Sequence, residues 1–165
     1  MQIIKIISGG QSGVDQGALL AAMNCNVQTG GWCPPGRSCE TGKIPEHFNL
    51  KETPDERSNM APDIPRSQRT EWNIRDSDGT LILAPSRYLL SDKGSEWAEK
   101  CCMLLGKPFL VTDPADDKCV LHIVDWIKQR RIEILNVAGP PESLWSGAEN
   151  SAKQIVYKLL SSGLR

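Results

Sequence analysis

Apolar residues in this chain fall into short blocks separated by longer stretches spaced like helix faces. Residues 2–7, rich in isoleucine, have the length and composition of a buried parallel strand. After a glycine-rich turn, Val14, Ala18, Leu19, Ala21, Ala22 and Met23 share one broad helical face. A second strand is predicted over 26–30. From there to about Arg66 the chain is dense in Pro, Gly, Asp and Glu with little periodicity. Long stretches of that kind are uncommon in compact domains and are often functional. Ser67 is placed to cap a short helix running to Arg75, and residues 79–84 read as the next strand. A helix over 95–105 turns Ala98, Cys101, Cys102 and Leu105 inward, and a strand over 107–112 carries its proline near the start, where it is tolerated. Residues 116–130 form an amphipathic helix with Val120, Ile123, Val124 and Ile127 inward and His122 outward. A strand over 132–137 and a helix from Gly147 or Ala148 to Leu160 complete the pattern, the last with Ala152, Ile155, Val156, Leu159 and Leu160 inward.

Five strand-like runs alternating with helices predict one α/β domain over 1–165, an open, mostly parallel sheet with helices on both faces. Right-handed crossovers place every strand-to-helix loop on one edge of such a sheet. The polar and glycine-rich stretches 9–15, 30–41, 85–95 and 136–143 all fall on that edge. Their coincidence predicts a ligand site there.

The first of these stretches reads Gly9-Gly10-Gln11-Ser12-Gly13-Val14-Asp15. Glycines at a strand-to-helix turn admit positive φ and close approach of a ligand to the backbone. The following helix aims unpaired N–H groups and its positive dipole end at the same place, which suits an anion. The spacing departs from G-x-G-x-x-G, and no Gly-Lys-Ser/Thr follows. A turn that only saves space remains the plain alternative, as does a first-turn carboxylate at Asp15 favoured by the dipole. Gly94-Ser95 opens a helix as a second possible cradle. Arg37 can clamp a phosphate or carboxylate through its planar fork, or be a solvated arginine in a turn. Asp76 and Asp78 fit a turn before a strand, with a cation or acid–base role as the alternative. Asn136, Gly139 and Ser143 converge at the end of the last strand, and His47 reads as an ordinary loop histidine.

Composition narrows the partners. Nineteen basic residues against twenty acidic ones leave a formal charge of −1, so net charge gives no support for nucleic-acid or membrane attraction. No basic segment with a cleavage site precedes the first strand, and no apolar run approaches the roughly 18 residues of a membrane span. A cytoplasmic protein is expected. The six cysteines form no C-x-x-C pair and have no histidine at a zinc-like offset. Cys33 and Cys39, in a loop, are the better candidates for reactivity, but all six are expected to be inert. Of the five tryptophans, Trp32, Trp72, Trp97 and Trp145 lie near the loop edge, where packing between subunits and ordinary core packing are both open.

Several blocks together resemble the molybdenum cofactor carrier family, a Rossmann-like group related to the LOG-like phosphoribohydrolases. They are Gly9 through Asp15, Gly30-Gly31-Trp32-Cys33-Pro34-Pro35-Gly36-Arg37, Gly42-Lys43-Ile44-Pro45, and Arg69-Thr70-Glu71-Trp72-Asn73 with Ser77-Asp78-Gly79-Thr80-Leu81-Ile82. Leu135-Asn136-Val137-Ala138-Gly139-Pro140 with Glu142-Ser143 completes the set, and the blocks span nearly the whole chain in order. The resemblance implies a Rossmann-like homo-oligomer, dimer or tetramer, that holds a phosphate-bearing small molecule at the strand C-termini. The molybdenum cofactor, a pterin with a terminal phosphate, is the implied ligand. On that analogy Gly10, Gln11, Ser12 and Gly13 hold the phosphate, with Arg37 and Arg69 offering charge. The full candidate set adds Gly9, Asp15, Gly31, Asn73, Gly94, Ser95, Asn136 and Gly139, with no catalytic residue and no metal ligand.

One departure bears on activity. The family's Gly-Gly-Thr-like turn reads Lys93-Gly94-Ser95 here, after Arg87-Tyr88-Leu89-Leu90-Ser91-Asp92. In the related hydrolases a glutamate follows three residues after the Thr. The matching position here is Ala98, flanked by Glu96 and Glu99, which weakens the hydrolase alternative because an acid or base must reach its proton. A nucleotide-sensing module is the third reading.

Overall fold

The computed structural model describes residues 2–88 and 91–164; Met1, Arg165 and the Leu89-Leu90 part of the unusual 87–92 segment lie outside them. Five parallel strands form the sheet: β1 (Lys5–Ile7), β2 (Gln28–Gly30), β3 (Gly79–Leu83), β4 (Phe109–Thr112) and β5 (Ile134–Ala138). The helices are α1 (Val14–Asn24), α2 (Ser67–Arg75), α3 (Lys93–Leu105), α4 (Cys119–Arg130) and α5 (Ala148–Leu159). This is the α/β architecture expected from the alternation of apolar blocks.

Side chains alternate across the sheet as the strand period requires. Leu81, Leu83, Leu110, Leu135 and Val137 join residues of α1, α4 and α5 in one apolar core. Ile82, Phe109 and Val111 face the other way, against Ile74 of α2 and Trp97, Ala98, Cys101 and Cys102 of α3. A third cluster of Leu19, Cys33, Cys39, Ile44, Phe48 and Leu50 anchors the long 31–66 segment against α1. That segment holds two short ribbons, Trp32–Cys33 beside Lys51–Glu52 and Ser38–Cys39 beside Gly42–Lys43.

The strand order is β2-β1-β5-β3-β4. Counting from β5 as the first strand turns this into 3-2-1-4-5, the order of a dinucleotide-binding sheet. The chain therefore carries the first strand of that arrangement, and the helix after it, at its C-terminal end. α5 packs along α1 because β5 and β1 are neighbours.

Several local expectations are corrected. β1 begins at Lys5. Met23 and Leu105 turn outward, at 38% and 42% exposure. Ser67 is the first residue of α2, and its hydroxyl donates to the Ala61 carbonyl (2.9 Å) and accepts from Ser58 N–H (2.8 Å); it pins the incoming loop instead of capping the helix. α3 begins two residues early because the Asp92 carboxylate caps it, accepting from Gly94 N–H (3.2 Å) and the Ser95 hydroxyl. α4 begins late because Asp113 and Asp116 bond the backbone two residues on, making turns of the residues before it.

Candidate functional site

In an open α/β sheet, ligands bind beyond the strand C-termini where the strand order reverses. Here β1 and β2 lie to one side of β5, and β3 and β4 to the other. At that reversal a cavity of about 260 Å³ opens. Of the residues singled out from sequence, Gln11, Asp15, Arg69, Asn73, Gly94, Ser95, Asn136 and Gly139 line it. They come from the loop after β1, from α1, α2, the first turn of α3 and the end of β5.

Each is placed by local chemistry. Asn136 sits on the face of β5 towards α2 and α3, opposite Thr80, and donates to the Thr80 hydroxyl (3.1 Å). Asn73 uses its whole carboxamide on the backbone of Trp32, accepting from its N–H (2.7 Å) and donating to its carbonyl (2.9 Å). It fixes the start of the long loop. A Cβ at Gly139 would collide with the Leu83 carbonyl and Val14, so glycine lets the β5 loop cross the end of β3.

Gln11 is 5% exposed. Its Oε1 accepts from Ser12 N–H (3.0 Å) and Glu40 N–H (2.9 Å). Two donors on one atom identify it as the oxygen, so Nε2 is the remaining donor. Among the described residues that nitrogen is buried without a partner, as are Nε of Arg69 and, away from the cavity, Nε1 of Trp97. Buried donors left unpaired cost about 1–3 kcal/mol each, and those of Gln11 and Arg69 belong to cavity-lining residues.

The cavity is electrostatically mixed. Arg66, Arg69 and Lys93 bring positive charge, Asp15 and Asp92 negative. Arg69 reaches across Gly9 to Asp15 (Nη1 to Oδ2, 3.2 Å), and a Cβ on residue 9 would collide with the guanidinium. Burial pushes the Asp15 carboxyl above the usual range, against the lowering effect of Arg69 and of the Gln11 N–H.

Gly9, Gly10, Ser12, Gly13, Gly31 and Arg37 do not line the cavity. Gly10 (φ 79°) faces Leu50 and Ile44, and Gly31 (φ 127°) lies against the Ser8 backbone and Asn73. Gly13 (φ 85°) lies under the β5 loop, with Pro140 O, Glu142 N and Pro141 C 2.6–2.8 Å from where a Cβ would be. Three amides of the turn are used internally: Gln11 N–H by Asp15, Ser12 N–H by Gln11, and Val14 N–H by the Pro140 carbonyl (3.3 Å). Arg37 donates to the carbonyls of Ile44, Pro45, Phe48 and Leu50 (2.9–3.3 Å), clamping its own loop. Ser12 and Ser143 both donate to the Glu40 carboxylate, tying three of the loops together. Burial works against the charged form of Glu40, but these hydroxyls and the Ser143 N–H hold its carboxyl below the usual range.

Sequence reasoning missed Arg66, Asp92 and Lys93. The aperiodic stretch ending at Arg66 marked the first; an aspartate three residues before Ser95 marked the second as a cap. All six cysteines are free and buried. Burial raises the thiols of Cys33, Cys102 and Cys119, and that of Cys101 to about 12. Among the described residues no group of three or more His, Cys, Asp or Glu could hold a metal ion. No helix among them is long and apolar enough to cross a membrane.

A five-stranded 3-2-1-4-5 sheet with its first unit moved to the end, and a cavity at its reversal point, defines a permuted Rossmann-like α/β class. The model of the circularly permutated YpsA SLOG family matches residues 6–160, and the chain belongs to that family. It is also similar to the crystal structure of the putative molybdenum carrier protein from Syntrophus aciditrophicus SB. That similarity is 33% identity over 96% of this chain and 94% of the other, with a TM-score of 0.84. No curated protein matches the sequence.

Proposed function

We propose that the protein is a cytoplasmic carrier that holds a phosphate-bearing small molecule, of the molybdenum cofactor type, in the cavity at the β5–β3 reversal. The observation that carries this is the pair of unpartnered buried donors, Gln11 Nε2 and Arg69 Nε, on residues lining a cavity with three basic side chains. A phosphate oxygen satisfies such donors, and guanidinium suits its geometry. The similarity to a putative molybdenum carrier supports the pterin phosphate as the ligand. With no metal-holding cluster among the described residues, the metal arrives as part of the cargo. Membership of a homo-oligomer belongs to the same proposal, supported by the outward Met103, Leu104 and Leu105 at the end of α3.

Binding is favoured over N-glycosidic hydrolysis. Ala98 lines the cavity, whereas Glu96 and Glu99 do not. Glu96 instead pairs with Lys100 on the exposed side of α3 (3.0 Å). The test is native mass spectrometry of freshly purified protein, followed by denaturation to identify what is released. A pterin phosphate supports the carrier. A nucleotide, together with release of free base from AMP that Glu99→Ala abolishes, overturns it in favour of the hydrolase.

A further inference from the structure

Asp15 is only 2% exposed, yet it lies in a cavity proposed to receive an anion. A carboxylate beside an anion site raises the question of what it is for. Its Oδ2 accepts from Gln11 N–H (3.2 Å) and from Arg69 Nη1 (3.2 Å). Arg69 comes from α2 and reaches Asp15 on α1 by passing over Gly9, where a side chain would block it. With Nη1 held in this way, the Nε of Arg69 is left buried and unpaired, as is Nε2 of Gln11. One carboxylate thus touches both cavity-lining residues that carry unused donors.

We propose that Asp15 is a positioning residue that sets Arg69 and the Gln11 turn for the ligand's oxyanion, and that it takes up a proton from solvent when the oxyanion binds. The proposal rests on the cavity being an oxyanion site. The groups facing Asp15 are the Arg69 guanidinium from α2, the Ser8 hydroxyl at the end of β1, the Gln11 N–H, and the Asp92 carboxylate before α3. Arg66 and Lys93 lie further along the cavity wall. Burial already favours the neutral carboxyl, Asp92 adds to that, and Arg69 opposes it. An oxyanion at Arg69 competes for the guanidinium and adds a like charge nearby, so the balance moves towards the protonated form. By linkage, a proton taken up on binding means that anion affinity rises as pH falls. The structural consequence is a carrier whose grip loosens with rising pH.

The test is calorimetric titration of the full chain with sulfate, whose charge is constant between pH 4.5 and about 8 (well above its own ionisation), in two buffers of different ionisation enthalpy. Wild type is expected to bind sulfate about three- to tenfold more tightly at the acid end, with measurable proton uptake. In Asp15→Asn, which cannot titrate, proton uptake and its share of the pH slope disappear. Asp15→Ala, which frees Arg69, weakens sulfate about tenfold at every pH. Thermal melts of each variant confirm that it is folded. Sulfate binding that is abolished by Arg69→Gln but keeps its pH slope and proton uptake in Asp15→Asn overturns this inference and leaves the oxyanion site standing. Absence of sulfate binding by wild type, or binding indifferent to Arg69→Gln, overturns both.

Discussion

The glycine-rich turn after β1 and the α2–α3 segment both border the cavity, and they contribute opposite things to it. The turn carries the stronger motif, yet its glycines make room for protein: Gly13 for the 140–142 backbone, Gly10 for Ile44 and Leu50, Gly9 for Arg69. Three of its amides, those of Gln11, Ser12 and Val14, are bonded within the turn or to the β5 loop. The α2–α3 segment has no motif as clear, but it supplies Arg66, Arg69, Lys93 and the capped first turn of α3. Glycine density reports that something comes close; the structure decides whether that is ligand or chain.

The largest test of this contrast is Gly13→Val. Were Gly13 a phosphate-holding residue, as the family analogy implies, that change would damage binding and spare the fold. With φ at 85° and backbone atoms within 2.8 Å of the new Cβ, it is expected instead to cost about 3 kcal/mol or more of stability. A denaturant midpoint close to that of wild type would return Gly13 to the ligand. Next comes Arg37→Ala, which removes donors from four carbonyls of the 44–50 loop. A loss of about 2–3 kcal/mol is expected, with phosphate affinity held; a folded variant that loses phosphate would make Arg37 a ligand residue after all.

A smaller effect concerns acid. The folded-state carboxyl of Asp15 lies above its ordinary value of 3.8 because burial penalises the charge. Below 3.8 both states are protonated and the residue costs nothing. As pH rises from 3.8 through the raised folded value, the unfolded state ionises first and stability falls. Urea titrations should therefore show a wild-type stability that declines over this window relative to Asp15→Asn; parallel pH curves would show that Asp15 is not strained by burial. The smallest is Ser143→Ala, which removes one hydroxyl from Glu40 on the exposed side of the loop cluster. About 0.5–1 kcal/mol is expected, and amide exchange in residues 140–144 should rise while that in β3 does not.

Much of the fold was legible because its signal is local. Ile82 and Leu83 in β3, or Ile123 and Ile127 in α4, are placed by period alone. The edge at which the polar loops gather followed from chain connectivity. Strand order did not, since nothing in residues 132–138 says that this last strand sits between β1 and β3; that is decided by which faces pack across 129 residues of chain, as in the Ser8 bond to the Val137 carbonyl (2.5 Å). Of the cavity-lining residues, Asn136 stood out as a polar residue at a strand end, whereas Gln11 came with the glycine-rich turn and Arg69 with the family resemblance. The true task of Arg37 was hidden because a guanidinium serves carbonyls and phosphates with the same donors. Asp92 was missed because its role as cap depends on where α3 begins.

The most direct test of the central claim is the ratio of inorganic phosphate affinities of Arg69→Gln and Arg37→Gln, measured by calorimetry on folded protein. The account predicts that Arg69→Gln binds phosphate at least about tenfold more weakly than Arg37→Gln, which should match wild type. Equal affinities, or a loss confined to Arg37→Gln, would contradict an oxyanion site built on α2 and return it to the loops after β1 and β2.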